Sequence, residues 1–311
     1  MAKVRVAAKV LGQGGVRHED SLAEIGKSVV EDGFAAQLRH HPAMPAFPNR
    51  VTLGRTGLSV GPLAVAGGYG VDDKSLLRAF ERGVNYWYHG SFLRKGMTSA
   101  IRQLVAAGKR DELVIVLQSY MRWPWYMERT LAKELRLLGI DHCDVLLLGW
   151  YNVLPPKKIV ERVERMREKG MFRHVAISSH NRPNFVELAK DPRYGILHIR
   201  YNAAHTGAER DVFPKLPADN RPGTVAYTAT RWGSLLKAGN APKGEAPMRG
   251  RDAYRFVLSN PDFNLCMTGP KNAAEMDEAL AALDEGPLSA EENTRIRRLG
   301  SYVYGKALRK G

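Results

Sequence analysis

An α/β architecture built on parallel strands follows from three features of this 311-residue chain. Short β-rich apolar runs such as Val114–Leu117 and Asp144–Leu148 alternate with longer stretches of helical periodicity. The alternation recurs eight times between Leu63 and Leu283. Apolar residues make up 44% of the chain, enough for one large barrel or two smaller domains. Eight βα units point to a (β/α)8 barrel whose working face lies at the carboxyl ends of the strands. Periodicity alone also admits an open, doubly wound sheet.

Residues 1–50 stand apart from this rhythm and read as an extension ahead of a barrel over 51–311. Ser21–Leu38 fits an amphipathic helix, with Leu22, Ile25, Val29 and Val30 on one face. His40-His41-Pro42, Pro45 and Pro48 then break the pattern as an extended linker. The helix either folds on the outside of the barrel or reaches a partner subunit. Alone, a helix of that length is marginal. Val51–Val60 forms a hairpin around a Gly-x-x-Gly turn.

The βα units follow in order. Leu63–Ala66 precedes Asp73–Arg82, Val84–Tyr88 precedes Thr98–Ala107, and Leu113–Leu117 precedes a helix from about Tyr126 to Leu138. Asp144–Leu148 leads to Lys157–Lys169, His174–Ile177 to Pro183–Lys190, and Ile196–Tyr201 to a poorly defined segment near Glu209–Leu216. Thr224–Tyr227 is joined through a long Gly/Pro-rich loop to Arg251–Ser259. Leu265–Thr268 precedes Ala273–Leu283, and a last helix over Ala290–Gly305 covers the outside.

No apolar run reaches membrane-spanning length. The opening Met-Ala-Lys-Val-Arg lacks the apolar core of a signal peptide, which predicts a soluble cytoplasmic protein. Cys143 and Cys266 sit in apolar strand-like runs and read as buried free thiols. No Cys/His cluster has ligand spacing, so no metal is expected. The formal charge of +15 and pI near 9.9 would attract nucleic acid, anionic membrane or an acidic protein. Lys and Arg are nevertheless scattered among Asp and Glu, without a basic run or nucleic-acid motif. A solvated basic surface and a basic docking face both remain open.

Gly83-Val84-Asn85-Tyr86-Trp87-Tyr88-His89-Gly90-Ser91-Phe92-Leu93 resembles the second barrel strand of the aldo-keto reductases, written G-[IV]-N-x-[FW]-D-T-A-x-x-Y-G. Further matches are Glu128-Arg129-Thr130-Leu131 through Gly139-Ile140-Asp141, Val175-Ala176-Ile177-Ser178-Ser179-His180, Tyr201-Asn202, Thr224-Val225-Ala226-Tyr227, and Phe256–Pro261 through Thr268-Gly269-Pro270-Lys271-Asn272. The Val51–Val60 hairpin is similar to the one that closes the bottom of that barrel. The resemblance covers about residues 51–305 and decides for the closed barrel.

That family reduces carbonyls with NADPH, using a tyrosine as acid, a lysine that lowers its pKa, a supporting aspartate and an orienting histidine. A phenol of ordinary pKa near 10 needs a neighbouring cation to work near neutrality. Here Tyr88 holds the aspartate position, Leu93 the tyrosine, Gln118 the lysine and Gly149 the histidine. The resemblance thus implies the barrel while the catalytic residues are replaced. Tyr88 either approaches a ligand or fills vacated volume. His89, Tyr120, Arg122, Tyr151 and His180 are further candidates in the mouth loops, with His89 read as an exposed loop histidine. Trp123 and Trp125 line a pocket, plug it, or anchor an interface.

The resemblance implies a cofactor side in which Ser178 approaches the nicotinamide amide, Ser179 replaces an asparagine and His198 replaces a glutamine. Tyr227 keeps its ring position, and the pyrophosphate loop reads Thr228-Ala229-Thr230-Arg231-Trp232-Gly233-Ser234-Leu235. Gly269 and Lys271 fit the adenosine-phosphate end, where a lysine pairs a 2′-phosphate. Bound NADP is therefore an open expectation. The preferred expectation is a pseudoenzyme serving as a binding or structural subunit. Its protein partner or second copy would be met through the N-terminal extension or the basic surface. The rival is an NADP-dependent oxidoreductase with substitute groups, and a nucleic-acid-associated protein is a third class.

Overall fold

The computed structural model describes residues 46–90 and 92–308. The helix expected over Ser21–Leu38 and the start of its linker lie outside the described residues. A two-stranded antiparallel hairpin, β1 (Val51–Thr52) and β2 (Ser59–Val60), comes first. Eight parallel strands then close into a barrel: β3 (Leu63–Ala66), β4 (Tyr86–Tyr88), β5 (Val114–Ser119), β6 (Cys143–Leu148), β7 (Phe172–Ser179), β8 (Tyr194–Arg200), β9 (Gly223–Tyr227) and β10 (Leu265–Thr268). β10 pairs with β3 to complete the circle. The (β/α)8 expectation holds.

The helices are α1 (Asp73–Glu81), α2 (Lys95–Ala106), α3 (Pro124–Leu138), α4 (Lys157–Glu168), α5 (Pro183–Lys190), the short α6 (Ala208–Asp211), α7 (Gly250–Leu258), α8 (Ala273–Glu285) and α9 (Ala290–Leu308). Local signals explain several boundaries. Asp72 caps α1 by accepting from Ser75 N, and Asn272 caps α8 by accepting from Glu275 N. α3 begins at Pro124, where a missing N–H costs nothing, and stops at Gly139 in the left-handed region. The segment after β8 collapses to α6 and one 3-10 turn, which is why its periodicity is weak.

Strand alternation sorts the core into two shells. Trp87, Ile115, Leu146, Ile177 and Leu197 point outward under the helices. Tyr86, Val114, Val116, Val145, Ala176, Ile196 and Val225 point inward and fill the barrel. At the amino-terminal end, Leu53 and Val60 of the hairpin join that inner shell. The hairpin packs so closely that a Cβ on Gly54 would lie 2.1 Å from Gly223 N. This end of the barrel is therefore floored by backbone. Cys143 and Cys266 are buried free thiols, as expected.

Candidate functional site

The same alternation decides which side chains meet at the other end. Ala66, Tyr88, Gln118, Ser178, His198, Tyr227 and Met267 are all in the inward phase and line a cavity of about 510 Å³ at the carboxyl ends of the strands. Loop residues Tyr120, Trp150, Thr228, Trp232, Gly269 and Lys271 complete the wall. Tyr88, Gln118, Ser178, His198, Tyr227, Gly269 and Lys271, predicted from sequence, are thus brought together.

Of the four positions that the sequence resemblance aligns with catalytic residues, Tyr88 and Gln118 face the cavity with their side chains. Burial raises the Tyr88 phenol well above its ordinary value, and the neighbouring phenols of Tyr120 and Tyr69 push the same way. Arg94 opposes this weakly, its guanidinium being held by Glu134 at 2.6 and 3.0 Å. Gly149 follows β6 in the inward phase. A Cβ there would stand 2.2 Å from Gln118 Nε2 and 2.6 Å from Tyr120 Cε1. Gln118 and Tyr120 thus occupy the room that a side chain at position 149 would need. Leu93 lies on an exposed loop with φ +45° and does not line the cavity.

Three expectations are corrected by the same phase argument. His89 is not an exposed mouth histidine: it follows outward Trp87 and inward Tyr88, so its ring turns under the helices and is fully buried. Its Nε2 lies 2.8 Å from Thr98 Oγ1 and its Nδ1 3.6 Å from Glu134. Burial lowers its pKa. Ser179 points outward beside Ser178 and exchanges hydrogen bonds with the Asn181 backbone, away from the cavity. Trp123 and Trp125 plug nothing; both project from the loop after β5.

Arg122 and Tyr151 brace the mouth from outside. Arg122 donates to the carbonyls of Gly149 at 2.7 Å and Trp150 at 2.9 Å, tying the loop after β5 to the loop after β6. Its guanidinium also lies 3.9 Å from the centre of the buried Tyr151 ring. Sequence reasoning missed Trp150 and the pairing of Tyr86 with His198. Trp150 has φ +60°, and its Nε1 donates to His180 Nε2 at 3.0 Å. Tyr86 Oη and His198 Nε2 are 2.8 Å apart, and burial pushes the imidazole down to about 3. The period-two pattern of β4 is the signal that places Tyr86 inside.

On the remaining side, Ser178 Oγ accepts from Trp150 N at 3.1 Å and keeps its own proton to donate. The Tyr227 hydroxyl is buried without a hydrogen-bond partner among the described residues, and burial pushes it up to about 12. Thr228, Arg231, Trp232 and Gly233 all have positive φ. A β-branched residue there is strained, and Thr228 is held by Asn202 Nδ2, which donates to its carbonyl at 2.9 Å. Left-handed residues in such a loop turn backbone N–H groups to one side, the geometry that receives anions. At the far end Lys271 Nζ is 3.7 Å from Glu275, and Glu278 lines the same wall, bound to Arg251.

The closed eight-stranded barrel shares its fold with solved aldo-keto reductases. No family model matches the sequence, and no curated protein matches it. Solved structures do. The holo form of an aldo-keto reductase from Bacillus halodurans superposes with a TM-score of 0.67 at 18% identity, over 80% of this chain and 95% of that one. An aldo/keto reductase from Klebsiella pneumoniae in complex with NADP and acetate gives 0.64 at 21%, over 82% and 96%. The complex of a Klebsiella pneumoniae aldo-keto reductase with NADPH gives 0.65 at 20%, over 82% and 96%. The likeness covers nearly all of those chains and shows a shared fold.

Proposed function

We propose that this barrel binds a nicotinamide nucleotide but has given up carbonyl reduction by the phenol–lysine route, and serves as a binding subunit. One observation carries the reading. The acid–base corner of the mouth is filled by Tyr88, Gln118 and Tyr120, packed into the space that Gly149 leaves. Among the described residues that line the cavity, Lys271 is the sole permanent cation, and it stands at the opposite end beside Glu275. No cation in the cavity wall acidifies Tyr88, Arg94 is outweighed by burial, and the raised pKa makes the phenol a poor proton donor.

The nucleotide side fits its ligand. The partnerless Tyr227 hydroxyl and the strained Thr228–Gly233 loop face the cavity, and Ser178 has a proton to give to a carboxamide. The loop backbone would take the pyrophosphate, with Gly269 and Lys271 at the adenosine end. Bound NADPH supplies a hydride; what this chain lacks is the group that completes the reaction with a proton. An exposed ion pair such as Lys271–Glu275 is worth about 0–1 kcal/mol, so it opens readily for a 2′-phosphate. NADPH should accordingly bind more tightly than NADH, by roughly tenfold.

The test has two arms. Titration of tryptophan fluorescence with both dinucleotides should saturate, and Lys271→Ala should erase the preference for the phosphorylated one. Equal affinity for both removes the role of Lys271, and no binding removes the nucleotide. A panel of aldehydes, ketones and quinones should leave NADPH unoxidised at the rates of ordinary reductases. The cavity-facing phenol of Tyr88 favours one second reading, an oxidoreductase with Tyr88 as acid. Robust turnover abolished by Tyr88→Phe would establish that reading and end the first.

A further inference from the structure

Three neighbouring loops on the mouth face share a pattern that the nucleotide site does not use. The loops after β4, β5 and β6 each end in two bulky apolar side chains turned to solvent. Phe92, Leu93, Trp123, Trp125, Val153 and Leu154 are between 55% and 79% exposed. Scattered apolar residues on a surface need no explanation, but a cluster does. Their strands are hydrogen-bonded neighbours, so the loops share one sector of the rim.

Positive charge surrounds these tips in a way that local helix physics disfavours. The helices that follow, α2, α3 and α4, have no acidic residue in their first turns. α2 begins on Lys95 and α4 on Lys157 and Lys158, where the helix dipole repels cations. Elsewhere the ordinary rule holds at α1 with Asp73, α7 with Asp252, α8 with Glu275 and α9 with Glu291 and Glu292, while α5 lacks a first-turn acid as well. Arg129 and Lys133 add exposed cations along α3. Residues 94–173 contain 16 Lys or Arg against 9 Asp or Glu, and among these Arg94, Lys95, Arg122, Lys157 and Lys158 stand at the mouth end, before or at the starts of α2, α3 and α4.

We propose that this sector docks on an anionic lipid surface, with the apolar tips at the acyl boundary and the lysines among the headgroups. Aromatic and aliphatic tips ringed by Lys and Arg have the chemistry of an interfacial anchor. Single-stranded nucleic acid is a poorer fit, since Leu93, Val153 and Leu154 offer no π-face for a base. A second copy meeting through the same face would oppose like charges. The tips stand on separate loops, which suits a surface more than the groove that a peptide requires.

Flotation of the full chain with vesicles tests this independently of any nucleotide. Vesicles of phosphatidylcholine with phosphatidylserine should carry the protein, pure phosphatidylcholine vesicles should not, and added salt should release it. Lys157→Gln with Lys158→Gln should weaken binding roughly fivefold for each charge removed. Trp125→Ser with Leu154→Ser should weaken it as well, while circular dichroism and thermal unfolding stay unchanged, because these side chains are exposed. Absence of binding to the anionic vesicles, or equal binding to both, overturns the proposal. So does charge-dependent binding that ignores the Trp125/Leu154 change and is displaced by an oligonucleotide, which would mark a site for polyanions. A dimer split by the same change would make this face a contact between copies and equally end the lipid reading.

Discussion

A methyl group at position 149 would land 2.2 Å from Gln118 Nε2 and 2.6 Å from the Tyr120 ring. Gly149→Ala should therefore displace one of them and destabilise the fold by about 1–3 kcal/mol in urea unfolding. Adding Gln118→Ala should recover part of the loss, with a coupling of about 0.5–3 kcal/mol between the two sites. His198 makes a second prediction. Its imidazole is buried and neutral, with a pKa lowered by burial from 6.5 to about 3. The unfolded chain takes up the proton first as pH falls, so this stability is fully present above pH 6.5 and is lost down to about pH 3. The slope approaches ~1.4 kcal/mol per pH unit for this one residue. His198→Gln can still accept from Tyr86 and should flatten the stability–pH curve in that window. An unchanged curve would mean that the buried histidine stays protonated.

Among the elements, α7 is held to α8 and α9 by one buried guanidinium. Arg255 is about 1% exposed and donates to Gly286 O at 2.7 Å and to both Glu292 oxygens at 2.8 and 2.9 Å. Removing it leaves the Gly286 carbonyl without this donor and takes the cation from the part-exposed Glu292, so Arg255→Met should cost about 1–3 kcal/mol in thermal or chemical unfolding. Arg255→Lys should rescue little, because an ammonium cannot reproduce the planar fork. The elements themselves were legible because each depends on nearby residues. α5 and β10 begin and end where their patterns do, and α3 starts two residues earlier than periodicity alone indicates because Pro124 opens it. The site was legible where strand phase decides it, as at Tyr88, Gln118, Ser178 and Tyr227. It was illegible where a loop leaves the strand. Nothing local in the sequence dictates the left-handed backbone of Trp150, whose N–H donates to Ser178 on β7, while Trp232 sits in a loop tied to itself by Gly233 N donating to Thr230 Oγ1.

At the scale of the whole molecule, a surplus of basic residues falls on one contiguous stretch, residues 94–173, whose helices α2, α3 and α4 follow the consecutively paired strands β4, β5 and β6 and so share one sector of the barrel. Flooring of the barrel by the Leu53–Gly54 turn against Gly223 has its own consequence. With the hairpin packed on the amino-terminal end, the cavity described above lies at the carboxyl ends of the strands, on the same face as the exposed aromatic tips. Whatever settles on that face stands between the cavity and the solvent. Residence time inside then becomes a property of the covering layer as well as of the contacts within. A nucleotide loaded before docking should leave more slowly from vesicle-bound protein than from free protein, and stopped-flow displacement would read the difference directly. Two populations of the same chain, one covered and one free, would then exchange their contents on different clocks without any change of shape.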